Sequence, residues 1–213
     1  MKIFFQSDNM EQSAHFGWQS KDLALYGLRE GYKNSADDLV EIALKDATPK
    51  TLDTYIFPIL FSYRHSLEIS LKHIYLRCRG NLPRGGHNLL TLWDEVKRDV
   101  IDGFIINESA VEDVKSYKEN FVPYSLDGIS LSKVRLLLKE FQESDQREVE
   151  RTNPSQKQTD QNADVWRYLI NTDNDLYFSS GHSIDYLALK ESISFLYEIL
   201  DFIYHITDEY LSS

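Results

Sequence analysis

The sequence of 213 residues predicts an all-α protein, a helical bundle packed around one long central helix. Apolar residues recur every three or four positions in several long segments, which is the spacing of one face of an α-helix. A strand-like pattern over residues 165–179 predicts at most a small β-hairpin. A chain of this length is sufficient for one hydrophobic core, and no internal repeat is visible. Residues 1–213 are therefore interpreted as a single domain.

The first predicted helix runs from Ser20 to near Asp46, because apolar residues recur at helical spacing throughout this segment. It is followed by the turn-prone sequence ATPKT. Residues 1–19 do not distinguish a short strand from a packed tail.

The central helix is predicted over residues 57–80, with Thr51 or Asp53 as its N-cap. Pro58 either lies in the first turn or kinks the helix, and Gly80 supplies a stop signal. When the helix is wound at about 100° per residue, six apolar residues fall on one arc. These residues are Ile56, Leu60, Tyr63, Leu67, Leu71 and Ile74.

A neighbouring arc of the same helix holds charged and polar residues between apolar flanks. We call this arc the charged seam, and its members are Arg64, His65, Glu68, Lys72 and Arg79. Charges in apolar surroundings are costly unless they are paired. Glu68 lies four residues from both Arg64 and Lys72, so it can pair with either. The seam is either a partner-satisfied ion cluster inside the bundle or a functional site.

The connector after the central helix, GNLPRGGHN, is short and rich in functional groups. Gly85 and Gly86 allow a tight backbone path, and Asn88 is a good N-cap for the next helix, LLTLWDEVKRDV. Arg84 and His87 then stand at the positive end of that helix, where a phosphate or a carboxylate can bind. Alternatively, His87 simply caps or packs against the central helix.

Because the connector reverses the chain, we expect four seam residues to face Arg84 and His87 across it and to form one cationic pocket; the four are Arg64, His65, Glu68 and Lys72. The candidate catalytic residues are Arg64, His65, Glu68, Lys72 and His87. The candidate ligand-binding residues are His73, Arg79, Arg84 and Asn88. Glu68 is expected to orient one of the two basic residues beside it, which leaves a histidine for proton transfer or anion contact.

The C-terminal half predicts three further helices. A weaker helix is expected over residues 108–121, a clear one from Ser130, and a long amphipathic one from Ser183. Residues 145–164 are interpreted as a mobile loop, because they are strongly polar. VWRYLI and DLYFS flank the turn-like NTDN and predict the small hairpin. The tyrosines of the last helix are interpreted as packing or interface residues.

The composition excludes several classes of protein. Hydrophobic residues make up 42% of the chain and aromatic residues 13%, which argues against disorder. No stretch has the length of an apolar membrane span, and no secretory leader is visible. The single cysteine, Cys78, excludes an intramolecular disulfide and a cysteine metal cluster. We therefore expect a cytoplasmic protein without a membrane partner.

The charge of the chain is acidic overall but unevenly distributed. The formal net charge of −11 argues against a protein that coats nucleic acids. Residues 64–88 contain five basic side chains and one acidic side chain, a local charge of +4. Three of the six histidines, His65, His73 and His87, also lie in this window. The window is a candidate anion site, unless acidic groups from distant segments neutralise it in the fold.

Two motifs resemble a known family. The run YRHSLEISLK, followed after the connector by GHNLLTLW, is similar to prokaryotic members of the HEPN (higher eukaryotes and prokaryotes nucleotide-binding) class. The resemblance extends from the helix near Ala36 to the WRY segment and the last helix, so it covers most of the chain. The residues that match the family pattern are Arg64, His65, Glu68, Lys72, His87 and Leu89.

The resemblance implies a helical bundle, frequently dimeric, of a class common in toxin and antiviral-defence contexts. Active members of the class cut RNA without a metal ion, and they carry an arginine that is followed, after four to six residues, by a histidine. No arginine–histidine pair of this chain has that interval. Eight residues separate Arg64 from His73, and seven separate Arg79 from His87.

Two functional hypotheses remain open. In the first, the chain is a metal-independent, ribonuclease-like effector or toxin. A histidine deprotonates the ribose 2′-hydroxyl, and an arginine or lysine stabilises the phosphorane charge. In the second, it is a non-catalytic helical module that binds a nucleotide, an RNA end or a partner protein.

Other chemistries find little support in the sequence. It contains no Walker-type or dinucleotide-binding glycine loop and no G-x-S-x-G motif. The histidines are too widely spaced for a typical zinc site. We therefore expect no cofactor and no metal, and we expect a symmetric homodimer that places two seams near each other.

Overall fold

The computed structural model describes residues 9–103, 128–143, 163–170, 174–178 and 181–212. Within these ranges the protein is all-α, as the sequence predicts. The helices are α1 (Lys21–Asp46), α2 (Pro49–Arg79), α3 (Leu89–Val96), α4 (Gly128–Glu143), α5 (Val165–Tyr168) and α6 (Tyr186–Ser212). A π-helical turn (Lys97–Ile101) continues α3. The helix predicted over 108–121 and nearly all of the loop predicted over 145–164 lie outside the described residues.

The central helix begins earlier than predicted, at Pro49, and only two residues separate it from α1. Thr48 is its N-cap and accepts a hydrogen bond from the Thr51 amide at 3.2 Å. The expected caps, Thr51 and Asp53, are therefore wrong. Pro49 explains the early start, since its fixed φ and missing N–H suit the first helical position. Pro58 consequently lies inside α2 rather than in its first turn.

As predicted, α2 is the centre of the bundle. It packs against α1, α3, α5 and α6, and α4 packs against α3 and α6. From Ile59 to Ile74 most of its side chains are buried. The helix ends at Gly80, whose φ of 73° costs a residue without a Cβ almost nothing. Because α2 has neighbours on several sides, its polar residues in the seam must also be enclosed.

The hydrophobic core lies between α2 and the surrounding helices. The apolar arc predicted for the central helix lies in it: Ile56, Leu60, Tyr63, Leu67, Leu71 and Ile74. Trp93 of α3, Val134 of α4 and Leu200 of α6 are fully buried against this arc. Burial of one valine or leucine side chain stabilises the fold by about 1.5–3 kcal/mol relative to leaving it exposed. The core therefore fixes the position of α2 against α3 and α4, where the site lies.

The described residues of the 165–179 region do not form the strands of the predicted hairpin. Val165–Tyr168 is instead one helical turn, α5. Strand pairing is reduced to a single antiparallel bridge between Ile170 and Leu176. Val165 is fully buried and Trp166 packs on Phe178 at 5.3 Å between ring centroids. Packing of this segment against α2 therefore overrides its strand-like pattern.

The last helix, α6, closes the bundle and begins three residues later than predicted. Asp185 is its N-cap: Oδ1 accepts hydrogen bonds from the amides of Leu187 and Ala188 at 2.8 and 2.9 Å. The Tyr186 hydroxyl donates to the Leu52 carbonyl and so ties α6 to α2. In the part of the chain that the structure describes, the length and apolar character needed to cross a bilayer occur together in no helix.

Candidate functional site

The carboxylate of Glu68 is the centre of a buried polar cluster. Glu68 is 2% exposed. Its Oε2 accepts a hydrogen bond from Nη1 of Arg64 at 3.3 Å, and its Oε1 accepts one from Nζ of Lys72 at 2.7 Å. Nδ1 of His87 lies 2.9 Å from the same Oε1. The prediction that Glu68 pairs with a basic residue one turn away is confirmed, and it pairs with both.

Arg64 and Gln142 join this carboxylate to the connector and to α4. Nη2 of Arg64 donates to the His87 carbonyl at 2.9 Å and to Oε1 of Gln142 at 3.4 Å. The same Oε1 accepts from the Leu89 amide at 3.0 Å, at the start of α3. We call these five side chains the Glu68 cluster: Arg64, Glu68, Lys72, His87 and Gln142. The cluster therefore joins α2 to the connector at the start of α3 and to α4.

The connector that carries His87 is fixed by Glu95 of α3. Oε2 of Glu95 accepts hydrogen bonds from the backbone amides of Arg84 and Gly85 at 2.8 and 3.3 Å. Gly85 lies so close to α3 that a Cβ at this position would be 3.0 Å from the Leu92 backbone nitrogen. A larger residue there would push the connector away from α3. The position of His87 thus depends on a tight backbone path that a glycine permits.

The charge state of Glu68 follows from its neighbours. Burial raises the pKa of this carboxyl group. The hydrogen bond and charge of Lys72, together with the charges of His87 and Arg64, outweigh burial and hold the pKa below its ordinary value. Glu68 is therefore an ionised, acceptor-only group at neutral pH.

The hydrogen bond to Glu68 determines the tautomer of His87. Because the carboxylate can only accept, Nδ1 must carry the proton between the two groups. The neutral imidazole then has its lone pair on Nε2. The side chain is 48% exposed, and no described residue hydrogen-bonds to Nε2. His87 therefore presents a basic nitrogen to solvent, with a carboxylate behind the ring.

Lys72 is the other cluster residue that reaches the surface. Its side chain is 20% exposed, whereas that of Arg64 is only 2% exposed. Lys72 and His87 share one carboxylate oxygen, so their nitrogens are neighbours. The accessible part of the cluster consequently combines a proton acceptor with a cation. This combination can activate a hydroxyl group and stabilise a negative charge that develops next to it.

His65, predicted as an alternative proton acceptor, is placed differently. Its ring packs edge-on against Tyr32 with centroids 4.5 Å apart and stacks on Phe61 at 5.6 Å. Burial lowers the pKa of His65, which favours the neutral ring. No hydrogen bond links His65 to Glu68 within the described residues. His65 therefore faces α1, and His87 alone of the two is hydrogen-bonded to the carboxylate.

Of the six residues expected to form one cationic pocket, four meet in the Glu68 cluster, and His65 packs against Tyr32 instead. Arg79 is exposed in the last turn of α2, and Arg84 meets Glu95 through its backbone amide rather than its side chain. Asn88 is the N-cap of α3, as predicted, and accepts from the Thr91 amide at 2.9 Å. The polar groups of the connector are thus used mainly to hold α3, because a short connector between packed helices must satisfy its own backbone.

His73, also predicted to bind the ligand, lies in a second buried cluster where α2 meets α1 and α6. Its Nε2 is 2.8 Å from Oδ1 of Asp22, and its ring stacks on Tyr204 at 4.2 Å. Arg29 is fully buried, donates to Oδ1 of Asp201 at 2.6 Å and lies 4.8 Å from the centre of the Tyr204 ring. We call these five residues the Arg29 cluster. The histidines of the 64–88 window are thus divided between different faces of α2.

The positive charge of the 64–88 window is partly neutralised by distant acidic groups, the alternative left open by the sequence. Arg77 pairs with Asp208 of α6, and His73 meets Asp22 of α1. Arg64 and Lys72 of the Glu68 cluster remain beside His87.

Gln142 and Arg29 were not identified from the sequence, although a signal for both exists. Gln142 follows Val134 and Leu138 at intervals of four residues, so it continues the buried stripe of α4. Arg29 precedes Ala36 by seven residues and likewise falls on the buried stripe of α1. A polar residue on an apolar stripe predicts a buried partner, because an unpaired one is costly.

The described residues contain no group of three histidine, cysteine, aspartate or glutamate side chains that is arranged to hold a metal ion. Comparisons with protein-family models, with curated proteins and with solved structures find no match to this chain. The function is therefore argued from the chemistry of the Glu68 cluster.

Proposed function

We propose that this protein is a HEPN-like effector that cuts RNA without a metal ion, and that the Glu68 cluster is its active site. The observation that carries the proposal is the Glu68–His87 pair, in which a buried carboxylate lies 2.9 Å from Nδ1 of an exposed histidine. A carboxylate behind an imidazole fixes its tautomer and stabilises the imidazolium that forms when it accepts a proton. Such a pair is suited to general-base catalysis.

In the proposed reaction, Nε2 of His87 removes the proton from a ribose 2′-hydroxyl group. The 2′-oxygen attacks the adjacent phosphorus, the bond from phosphorus to the 5′-oxygen breaks, and that oxygen takes a proton from solvent. The products are a 2′,3′-cyclic phosphate and a 5′-hydroxyl. Lys72 stabilises the charge on the phosphoryl oxygens. Arg64 is too deeply buried to reach RNA, so its role is to position Glu68 and the connector.

The biological setting of the proposal rests on the resemblance of YRHSLEISLK and GHNLLTLW to the HEPN class. That resemblance favours a cytoplasmic prokaryotic protein that acts in antiviral defence or in a toxin–antitoxin pair. The substrate in that setting is RNA, and a protein partner that restrains the effector is expected in a toxin–antitoxin pair.

A second candidate is a non-catalytic module that binds a nucleotide, an RNA end or a partner protein. The observation in its favour is that three side chains converge on one carboxylate, so Glu68 holds the connector even if His87 performs no chemistry. The arginine–histidine interval of active HEPN nucleases is also absent. On this alternative, RNA binds without being cut.

The decisive experiment incubates the purified protein with total RNA in the presence of EDTA. We expect cleavage that leaves 2′,3′-cyclic phosphate ends, and we expect His87→Ala to reduce the rate at least about 100-fold, since a general base contributes that much or more. His205→Ala is the matched control, because His205 also pairs with a carboxylate, that of Asp201 at 3.3 Å, but outside the Glu68 cluster. Both variants should melt close to the wild type.

Two results would count against the nuclease. If His87→Ala and His205→Ala cleave equally, the activity does not come from the Glu68 cluster. If the wild type binds RNA and leaves it intact, the second candidate is correct.

We also propose that the protein is a symmetric homodimer. The support is the resemblance to the HEPN class, whose members are frequently dimeric. The helix α1 also exposes several large apolar side chains that a second copy of the chain could cover: Leu23, Tyr26, Leu28 and Ile42, each at least 40% exposed. Sedimentation velocity at micromolar concentrations should give the mass of a dimer, and a monomer across that range contradicts this proposal.

A further inference from the structure

A second candidate site lies away from the Glu68 cluster, between α2, α4, α5 and the start of α6. Two adjoining cavities of about 650 and 410 Å³ are found there. They share one wall, formed by Leu60, Trp166, Phe178, His182, Ser183 and Ile184. Cavities of a few hundred cubic ångströms with mostly apolar walls are typical of sites for small organic ligands.

The shared wall is built from aromatic rings. The ring centroids of Trp166 and Phe178 are 5.3 Å apart, and those of Phe178 and His182 are 5.2 Å apart. Rings at these distances offer flat surfaces on which another aromatic ring can stack. In addition, the buried indole N–H of Trp166 has no hydrogen-bond partner among the described residues. A buried donor without a partner is unfavourable, so a ligand that supplies an acceptor is favoured.

The charges around the cavities determine which ligands fit. Asp53 lines the larger cavity, and Glu140 and Asp185 line the smaller one. Among the described residues that line them, none is a lysine or an arginine. A phosphate or carboxylate would therefore meet three carboxylates, with His182 as the one basic side chain among the described lining residues. The site accordingly disfavours anionic ligands.

We propose that these cavities bind an uncharged or cationic planar heteroaromatic molecule. Its ring stacks on the wall of Trp166 and Phe178, and a ring nitrogen or carbonyl oxygen accepts the indole N–H of Trp166. The site is independent of the proposed RNA cleavage, because no residue of the Glu68 cluster lines either cavity. A variant that loses RNA cleavage should still bind this molecule, and a variant that loses this binding should still cleave RNA.

The test uses two matched pairs of probes that differ in one anionic group. Isothermal titration calorimetry of the full chain would compare adenosine with adenosine monophosphate, and nicotinamide with nicotinate. We expect at least one neutral probe to bind with a dissociation constant below about 1 mM. Its anionic counterpart should bind at least about tenfold more weakly, because of the carboxylates at the cavity walls.

Two variants assign the binding to this site. Trp166→Phe keeps a ring and removes the N–H, and Phe178→Leu removes a ring, so both should weaken binding of the neutral probe several-fold. Leu136→Ala is the control, because Leu136 is 64% exposed and lines neither cavity. The proposal is overturned if no neutral probe binds, if the anionic probes bind equally well, or if Leu136→Ala has the same effect as the two wall variants.

Discussion

The Glu68 cluster and the Arg29 cluster are built from similar groups but differ in their exposure. Each contains a buried arginine, Arg64 or Arg29, and a histidine that meets a carboxylate at 2.8–2.9 Å. In the Glu68 cluster the carboxylate is buried and the histidine, His87, is 48% exposed. In the Arg29 cluster the order is reversed: His73 is fully buried and Asp22 is 52% exposed.

This difference separates a chemical role from a packing role. The exposed ring of His87 can exchange a proton with a substrate, while the carboxylate behind it is shielded from water. His73, enclosed by the ring of Tyr204, has no such access. Around Arg29 the aromatic rings of Tyr26, Tyr197 and Tyr204 lie within 5.8 Å of the guanidinium, so its charge is used to join α1 to α6.

The largest effect on stability is expected from Glu68→Ala. This change removes the partner of Arg64 and leaves a buried positive charge, which costs about 3–5 kcal/mol of unfolding free energy. The corresponding change in the other cluster, Asp201→Ala, should cost less, because Asp201 is 17% exposed and water replaces part of the lost contact. Urea denaturation measures both.

Glu191→Ala is the control for these two variants. Glu191 is exposed on α6, and such surface changes are usually within about 0.5 kcal/mol of the wild type. If Glu68→Ala is as stable as Glu191→Ala, the carboxylate does not hold Arg64 and the connector in the way described here.

A smaller effect on the free energy of unfolding is expected from a change in pH. This effect should occur in a different pH range for each cluster. Burial lowers the pKa of His73 below its ordinary value of 6.5, so the unfolded chain takes up a proton at a higher pH than the folded one. Stability therefore falls as the pH drops below about 6.5. The pKa of Glu68 is held below its ordinary 4.5, so the stability from its ionised form is lost only at pH values below that.

Urea denaturation of His73→Gln at a series of pH values distinguishes the two ranges. The variant should lose less stability than the wild type between about pH 7.5 and 5.5, whereas the loss that Glu68 causes at acid pH should remain in both proteins. The variant should keep part of the stability loss below about pH 6.5, because burial also lowers the pKa of His65. Identical profiles for the two proteins would mean that His73 is not buried in the neutral form.

The sequence was sufficient to predict the local part of this arrangement. Apolar spacing predicted the bundle and the central position of α2. The interval of four residues predicted the pairs of Glu68, and Asn88 was correctly predicted as a cap. These features depend on residues within one or two helical turns, where geometry follows directly from helical periodicity.

Contacts between residues that are far apart in sequence were not predictable in the same way. Whether His65 or His87 meets Glu68 depends on how the connector folds back, which is fixed by Glu95 and by the close approach of Gly85 to α3. Gln142 joins the cluster from α4, 78 residues away from Arg64. The predicted hairpin was lost for a similar reason, since the packing of α5 on α2 outweighs a local pattern.

The most direct test of the account is the protonation pattern of the His87 ring. Two-dimensional nitrogen–proton NMR at about pH 8 identifies which ring nitrogen carries the proton, and His87→Ala assigns the signal. We expect the tautomer protonated on Nδ1, because Glu68 can only accept, and we expect Glu68→Ala to lose this preference. A ring protonated on Nε2 would turn the lone pair towards Glu68 and away from solvent, and would contradict the role of His87 as a base.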